Sequence, residues 1–248
     1  MKYILGNWKM NGTRASAKAL ADAVAAFEGG SGAVVALFPP ATLMPLVQAS
    51  LGPSRVGLGA QDVSAEANGA FTGDISAGML KEAGCRYVIV GHSERRAGHA
   101  ETDEIVKKKA EAVLAAGMKP VICVGENLTQ REAGEHLAVV KAQLEKSLPD
   151  AKGAQFLVAY EPVWAIGSGL TPTLQQIEEV HKTIASVLSY ATSGAGKAAP
   201  APAILYGGSV KGSNAGEIMA VPGVDGVLVG GASLKAEEFC AIIAAARS

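Results

Sequence analysis

Short runs of Val, Ile, Leu and small residues recur along this chain, separated by longer stretches in which apolar residues return every third or fourth position. The runs predict strands near 3–8, 33–38, 56–61, 86–91, 119–124, 155–160, 203–207 and 226–230. Tyr87-Val88-Ile89-Val90 and Val227-Leu228-Val229 are apolar without alternation, as expected of parallel strands covered on both faces. Between the strands lie helices. Leu137, Val140, Leu144 and Leu148 share one helical face, and Thr129 with Glu132 reads as the capping box that starts that segment. Thr173 with Gln176 repeats the device before Ile177, Val180, Ile184 and Val187. A strand followed by a helix, eight times over, predicts a (β/α)8 barrel with eight parallel strands, in which chemistry gathers at the C-terminal strand ends. An open doubly wound sheet is the competing architecture, but no G-x-G-x-x-G follows the first strand. The stretch Thr192 to Pro202 reads as a surface loop rather than a domain linker, because a full barrel needs the elements on both sides of it.

Length and charge narrow the picture. The 248 residues suit a single barrel domain over 1–248, since such barrels occupy roughly 250 residues. A net charge of -1, with Lys and Arg scattered, gives no reason to expect nucleic acid or a membrane surface as partner, and a small molecule is implied. Three cysteines, Cys85, Cys123 and Cys240, follow no metal or redox spacing, so reduced thiols in the cytoplasm and no metal site are expected. The apolar piece at the N-terminus is too short for a signal segment, and no run is long enough to span a membrane.

The candidate chemistry falls at the strand ends. Glu161 closes the run Gln155 to Tyr160 and precedes Pro162, Val163, Trp164, Ala165, Ile166, Gly167, Ser168, Gly169, Leu170, Thr171 and Pro172. That order reads as a carboxylate base joined to a loop that can close as a lid. His92 terminates the fourth strand before Ser93-Glu94-Arg95-Arg96, the first turn of a helix whose partial positive charge opposes protonation, so a neutral imidazole is expected. His99, His136 and His181 lie in helical polar stretches and read as surface residues. Asn7 and Lys9 leave the first strand on one side of it. The glycine-rich turns 206–210 and 229–233 follow strands seven and eight, where loops of this architecture commonly hold phosphate on backbone N–H groups. Gln61 follows the third strand, and Phe71 and Thr72 sit at the tip of a Gly-bounded loop after it.

The strings GNWKMN at 6–11, GHSERR at 91–96, AYEPVWAIGSG at 159–169, YGGSV at 206–210 and LVGGASL at 228–234 together resemble the triosephosphate isomerase family, and the resemblance covers nearly the whole chain. It implies a TIM barrel that interconverts dihydroxyacetone phosphate and D-glyceraldehyde 3-phosphate through an enediolate, without cofactor. By the same resemblance Glu161 is the base, His92 the electrophile, and Lys9 and Asn7 bind near the reacting oxygens. Glu94 positions Lys9, and Arg95 braces a neighbouring loop. Ser209, Gly230, Gly231 and, on lid closure, Gly167 donate to the phosphate. The loop carrying Phe71 and Thr72 inserts into a second subunit, giving a homodimer. Leu170-Thr171-Pro172 departs from the Lys-Thr-Ala that many members carry at the lid's C-terminal end. Another phosphate-binding barrel enzyme would need a Schiff-base lysine mid-barrel or an acid pair, and neither appears. A non-catalytic binder on the fold would be expected to have lost Lys9, His92 or Glu161, and none is lost.

Overall fold

The computed structural model describes residues 1–27, 32–150, 154–168, 170–192 and 201–246. Eight parallel strands, β1 (Lys2–Asn7), β2 (Ala33–Phe38), β3 (Gly57–Ala60), β4 (Cys85–Val90), β5 (Lys119–Val124), β6 (Leu157–Tyr160), β7 (Ala203–Tyr206) and β8 (Gly226–Val229), pair in sequence order, and β8 closes on β1 with Gly226 opposite Tyr3. Around them run α1 (Arg14–Ala26), α2 (Met44–Leu51), α3 (Ala77–Glu82), α4 (Ser93–Gly98), α5 (Asp103–Ala115), α6 (Leu128–Glu132), α7 (His136–Ser147), α8 (Leu174–Thr192), α9 (Ala215–Ala220) and α10 (Ala236–Ala245).

Successive strand residues face opposite ways, and both faces are covered. Leu5, Phe38, Ile89, Cys123, Ala159 and Leu205 fill the barrel interior. Their neighbours Ile4, Leu37, Val88, Ile122, Val158 and Ile204 pack outward against the helices. Burying each larger aliphatic side chain contributes about 1.5–3 kcal/mol. One interior contact fixes a glycine: a Cβ at Gly59 would stand 2.3 Å from the Phe38 ring, so β3 must lack a side chain there for Phe38 to fill the barrel.

The strands run as the apolar runs predict, with β3, β6, β7 and β8 trimmed to four residues each. One capping expectation is overturned. The box at the start of α6 is made by Asn127 and Gln130, not by Thr129 and Glu132, and α7 begins afresh at His136 with Glu135 as an N-cap that makes no side-chain bond. Asn outranks Thr as a cap because its short amide reaches the N3 amide hydrogen readily, and Gly134, with φ of 74°, ends α6 before α7 starts, its turn closed by the Glu135 N–H on the Gln130 carbonyl. Thr173 and Gln176 do form a reciprocal pair, with N···O distances of 2.9 and 3.2 Å. Residues 193–200 of the expected surface loop lie outside the described residues. No helix among the described residues is long and apolar enough to cross a membrane.

Candidate active site

Glu161 follows β6 directly, and its backbone N–H donates to the Val124 carbonyl at 2.8 Å, which locks the strand end before the side chain turns inward. The carboxylate is buried. Its Oε2 accepts the Ser93 N–H at 2.9 Å, and its Oε1 lies 2.8 Å from His92 Nε2. His92 caps α4, and its Nδ1 accepts the Glu94 N–H at 3.2 Å. An accepting Nδ1 carries no proton, so the neutral ring that fits these bonds holds its hydrogen on Nε2, facing Glu161.

The two groups perturb each other. Burial pushes Glu161 upward, but the His92 ring and the Ser93 N–H outweigh it and leave the carboxyl below its usual range. Burial pushes His92 downward, but the Glu161 carboxylate, helped by Glu94, outweighs it and leaves the ring above its usual value. The sequence argument from a helix N-terminus gives the opposite direction for His92. A full charge at contact exceeds the partial charges at the end of a six-residue helix, and the sign reverses.

Lys9 leaves β1 with φ of 52°, a left-handed backbone that costs a non-glycine residue roughly 1 kcal/mol or more. Several bonds hold it there. Its N–H donates to Asn7 Oδ1 at 3.0 Å, and the Gln61 side-chain amide donates to the carbonyls of Lys9 and Phe38, both at 2.8 Å. The ammonium then reaches Glu94 Oε1 at 2.5 Å. Arg95 pairs with Glu101 at 2.6 Å and, on the loop after β3, with Asp62 at 2.8 Å.

A cavity of about 700 Å3 at the C-terminal rim is lined by Asn7, Lys9, His92, Glu94 and Glu161 together with Gly167, Ser209, Gly230 and Gly231. The Ser233 hydroxyl, buried beneath the second group, donates to the Gly230 carbonyl at 2.7 Å and fixes the turn after β8. A carboxylate, an imidazole and an ammonium around one such cavity can shuttle a proton on a small anionic molecule and stabilise the charge that develops. Phe71 and Thr72 stand outside it, exposed on the loop after β3.

From Pro162 the chain forms a short 3-10 turn, Val163–Ala165, above the site. Trp164 Nε1 donates to Glu126 Oε1 at 2.8 Å, the Tyr160 hydroxyl donates to the same oxygen at 3.1 Å, and Arg131 lies over the Trp164 ring at 5.8 Å. Farther on, the Ser168 hydroxyl donates to the Trp164 carbonyl and accepts the Leu170 N–H. Leu170 and Thr171 are exposed, Pro172 is buried, and Gly169 lies outside the described residues.

Two contributors escape a reading by residue type. Ser93 acts through its backbone N–H, whose signal is only its place as the first residue after a helix cap, where N–H groups lack helical partners. Glu126 stands just past the end of β5 as Glu161 stands past β6, so the rule that flags one flags the other. His181 is the reverse case: expected at the surface, it is fully buried, whereas His99 is exposed and His136 half-buried.

The triosephosphate isomerase family model matches residues 2–246. Curated triosephosphate isomerases include one from Ruegeria pomeroyi, 53% identical with 98% of this chain and 96% of the relative covered, and one from Afipia carboxidovorans, 51% identical with 96% and 95% covered. The crystal structure of triosephosphate isomerase from Bartonella henselae superposes with a TM-score of 0.90 at 42% identity, covering 100% of this chain and 99% of that one. With its closed eight-stranded barrel and this extent of likeness, the chain belongs to the triosephosphate isomerase family.

Proposed function

We propose that the cavity at the C-terminal rim interconverts dihydroxyacetone phosphate and D-glyceraldehyde 3-phosphate, with Glu161 removing the proton beside the carbonyl. The observation that carries this reading is the meeting of Glu161, His92 and Lys9 in one cavity that the glycine-rich turns after β7 and β8 also line. A carboxylate held below its usual range stays ionised at neutral pH and is ready to accept a proton. His92, with its hydrogen on Nε2, polarises the carbonyl and passes protons between the two oxygens. Lys9 balances the charge of the enediolate, Asn7 supports it through the Lys9 backbone, and Glu94 fixes the ammonium. Ser209, Gly230 and Gly231, joined by Gly167, hold the phosphate. Segment 162–172 closes as a lid, excluding water so that the enediolate does not expel phosphate. An assay coupled to glyceraldehyde 3-phosphate tests this directly. Glu161→Gln keeps the shape and should lose on the order of 10² to 10⁴ in kcat while remaining folded; near-normal turnover would remove Glu161 as the base.

The working unit we propose is a homodimer, in the cytoplasm, where its three unpaired cysteines stay reduced. Support for the dimer comes from Phe71, exposed on its loop, and from the exposed Met10 beside a second cavity of about 370 Å3 that adjoins Lys9 and His92. Thr72→Arg should give monomers of low activity, and sedimentation of the unaltered protein as an active monomer at micromolar concentration would refute the assembly.

A further inference from the structure

Arg96 lies outside the reaction cavity and yet touches the ends of two site-bearing strands. Its Nε donates to the Gly91 carbonyl at 2.8 Å, one residue before His92. One NH2 donates to the Cys123 carbonyl at 3.1 Å, one residue before the Val124 carbonyl that holds the Glu161 N–H. The remaining contacts face outward. NH1 pairs with Asp103 at the start of α5 at 2.6 Å, and NH2 also donates to the Ser147 hydroxyl at the end of α7 at 3.1 Å. A planar guanidinium with five donors in a fixed fork can meet all four at once, which an ammonium cannot.

The surroundings fit a brace whose geometry matters. Gly91 has φ of 67°, and a Cβ there would stand 2.6 Å from Val106 and 3.1 Å from Arg96, so the chain turns into His92 along a path the guanidinium adjoins. A cavity of about 210 Å3 opens beside Arg96 and reaches Glu161; Ser93, Cys123 and Gln143 share its wall. There the Ser93 N–H donates to the carboxylate and the Cys123 side chain adjoins it, so its position depends on where the ends of β4 and β5 are held.

We infer that Arg96 is a positioning residue of the isomerase reaction, bolting the ends of β4 and β5 together so that His92 and Glu161 meet at hydrogen-bond distance. The inference rests on the reading of His92 and Glu161 given above. Loss of the bolt shifts the pair by a fraction of a bond length without touching the phosphate grip, so it lowers kcat and leaves KM nearly unchanged.

Three variants test it. The unaltered protein and Glu161→Gln are assayed first: an inactive parent, or a fully active Glu161→Gln, removes the underlying reading, whereas the Arg96 results bear only on the brace. Arg96→Lys keeps a cation beside Asp103 but cannot fork to both carbonyls, and its kcat, corrected for folded fraction by thermal melts, should fall on the order of 10²-fold with KM within about threefold. Ser147→Ala removes the hydroxyl that Arg96 and Asp103 share while leaving both strand-end carbonyl bonds, and should shift Tm while leaving kcat unaltered. In Arg96→Ala, guanidinium ion at millimolar concentration should enter the adjoining cavity and restore turnover several-fold, with no gain for the parent or for Glu161→Gln. The inference is overturned if folded Arg96→Lys turns over at the parental kcat, or if its deficit equals its loss of folded protein. Where Arg96→Ala fails to fold, the Arg96→Lys kcat decides alone; where it folds, absence of guanidinium rescue counts against the brace.

Discussion

Two buried histidines, one at the rim of the barrel and one under its helical coat, are moved in opposite directions. His181 on α8 has no exposure; its Nδ1 donates to the Gly223 carbonyl at 2.9 Å, its Nε2 has no hydrogen-bond partner among the described residues, and its ring stands edge-on to Tyr160 with centroids 6.1 Å apart. Burial depresses it to about 4, with the Gly223 carbonyl and Asp225 opposing and Lys2 adding to the fall. His92 is almost as buried, but a carboxylate faces it and its pKa rises. Burial therefore does not sort a working histidine from a packing one. The partner does: a carbonyl leaves His181 neutral and fixed, while Glu161 and an open cavity suit His92 to the proton exchange we propose for it.

The largest expected break in this comparison is at the rim. His92→Asn removes the imidazole and should lower kcat on the order of 10² to 10³ with KM little changed, because the lost interaction strengthens in the transition state. The acid limb of the kcat/KM profile should also move upward, since the His92 ring is among the groups that hold Glu161 down. A change confined to KM, or an unmoved limb, would contradict the pairing.

The next effect belongs to His181 and appears in stability alone. Its folded pKa of about 4 lies below the ordinary 6.5, so between those values the unfolded chain binds the extra proton. The contribution is present in full above 6.5 and is lost as pH falls toward 4, a loss of about 3 kcal/mol in all. Urea midpoints should fall through that window in the parent. His181→Gln, which can still donate to Gly223, should flatten the slope while leaving kcat at neutral pH unchanged; an equal slope in both proteins would show that other groups carry the acid sensitivity.

The same pair shows how far the sequence could be read. His92 was legible because it ends an apolar run, and strand ends of a barrel face one rim. His181 was misread by polarity, although it stands four residues after Ile177 and three before Ile184, on the apolar stripe of α8. Periodicity held the answer and residue type hid it. The eight runs gave the barrel order because parallel strands covered on both faces leave uninterrupted apolar segments, and Asn7, Lys9, Glu161 and the two glycine-rich turns came with them. The direction of the His92 shift, the Ser93 N–H and the fork of Arg96 were not legible, since each depends on a contact between strands that are distant in sequence. The Asn127 cap shows a smaller failure: two overlapping cap patterns stand two residues apart, and the intrinsic preference for Asn over Thr at the cap separates them.

The left-handed backbone at Lys9 bears on how such a chain can drift over generations. Glycine would occupy that conformation without penalty, so a mutational walk toward greater stability is drawn to it, and the same step deletes the ammonium that faces the cavity. Stability and the role we propose for Lys9 thus point to different residues at this one position. Gln61, through its bonds to the Lys9 and Phe38 carbonyls, makes the less stable choice sustainable, and a lineage that lost Gln61 would feel the pull at Lys9 before any defect in the proton-transfer groups themselves.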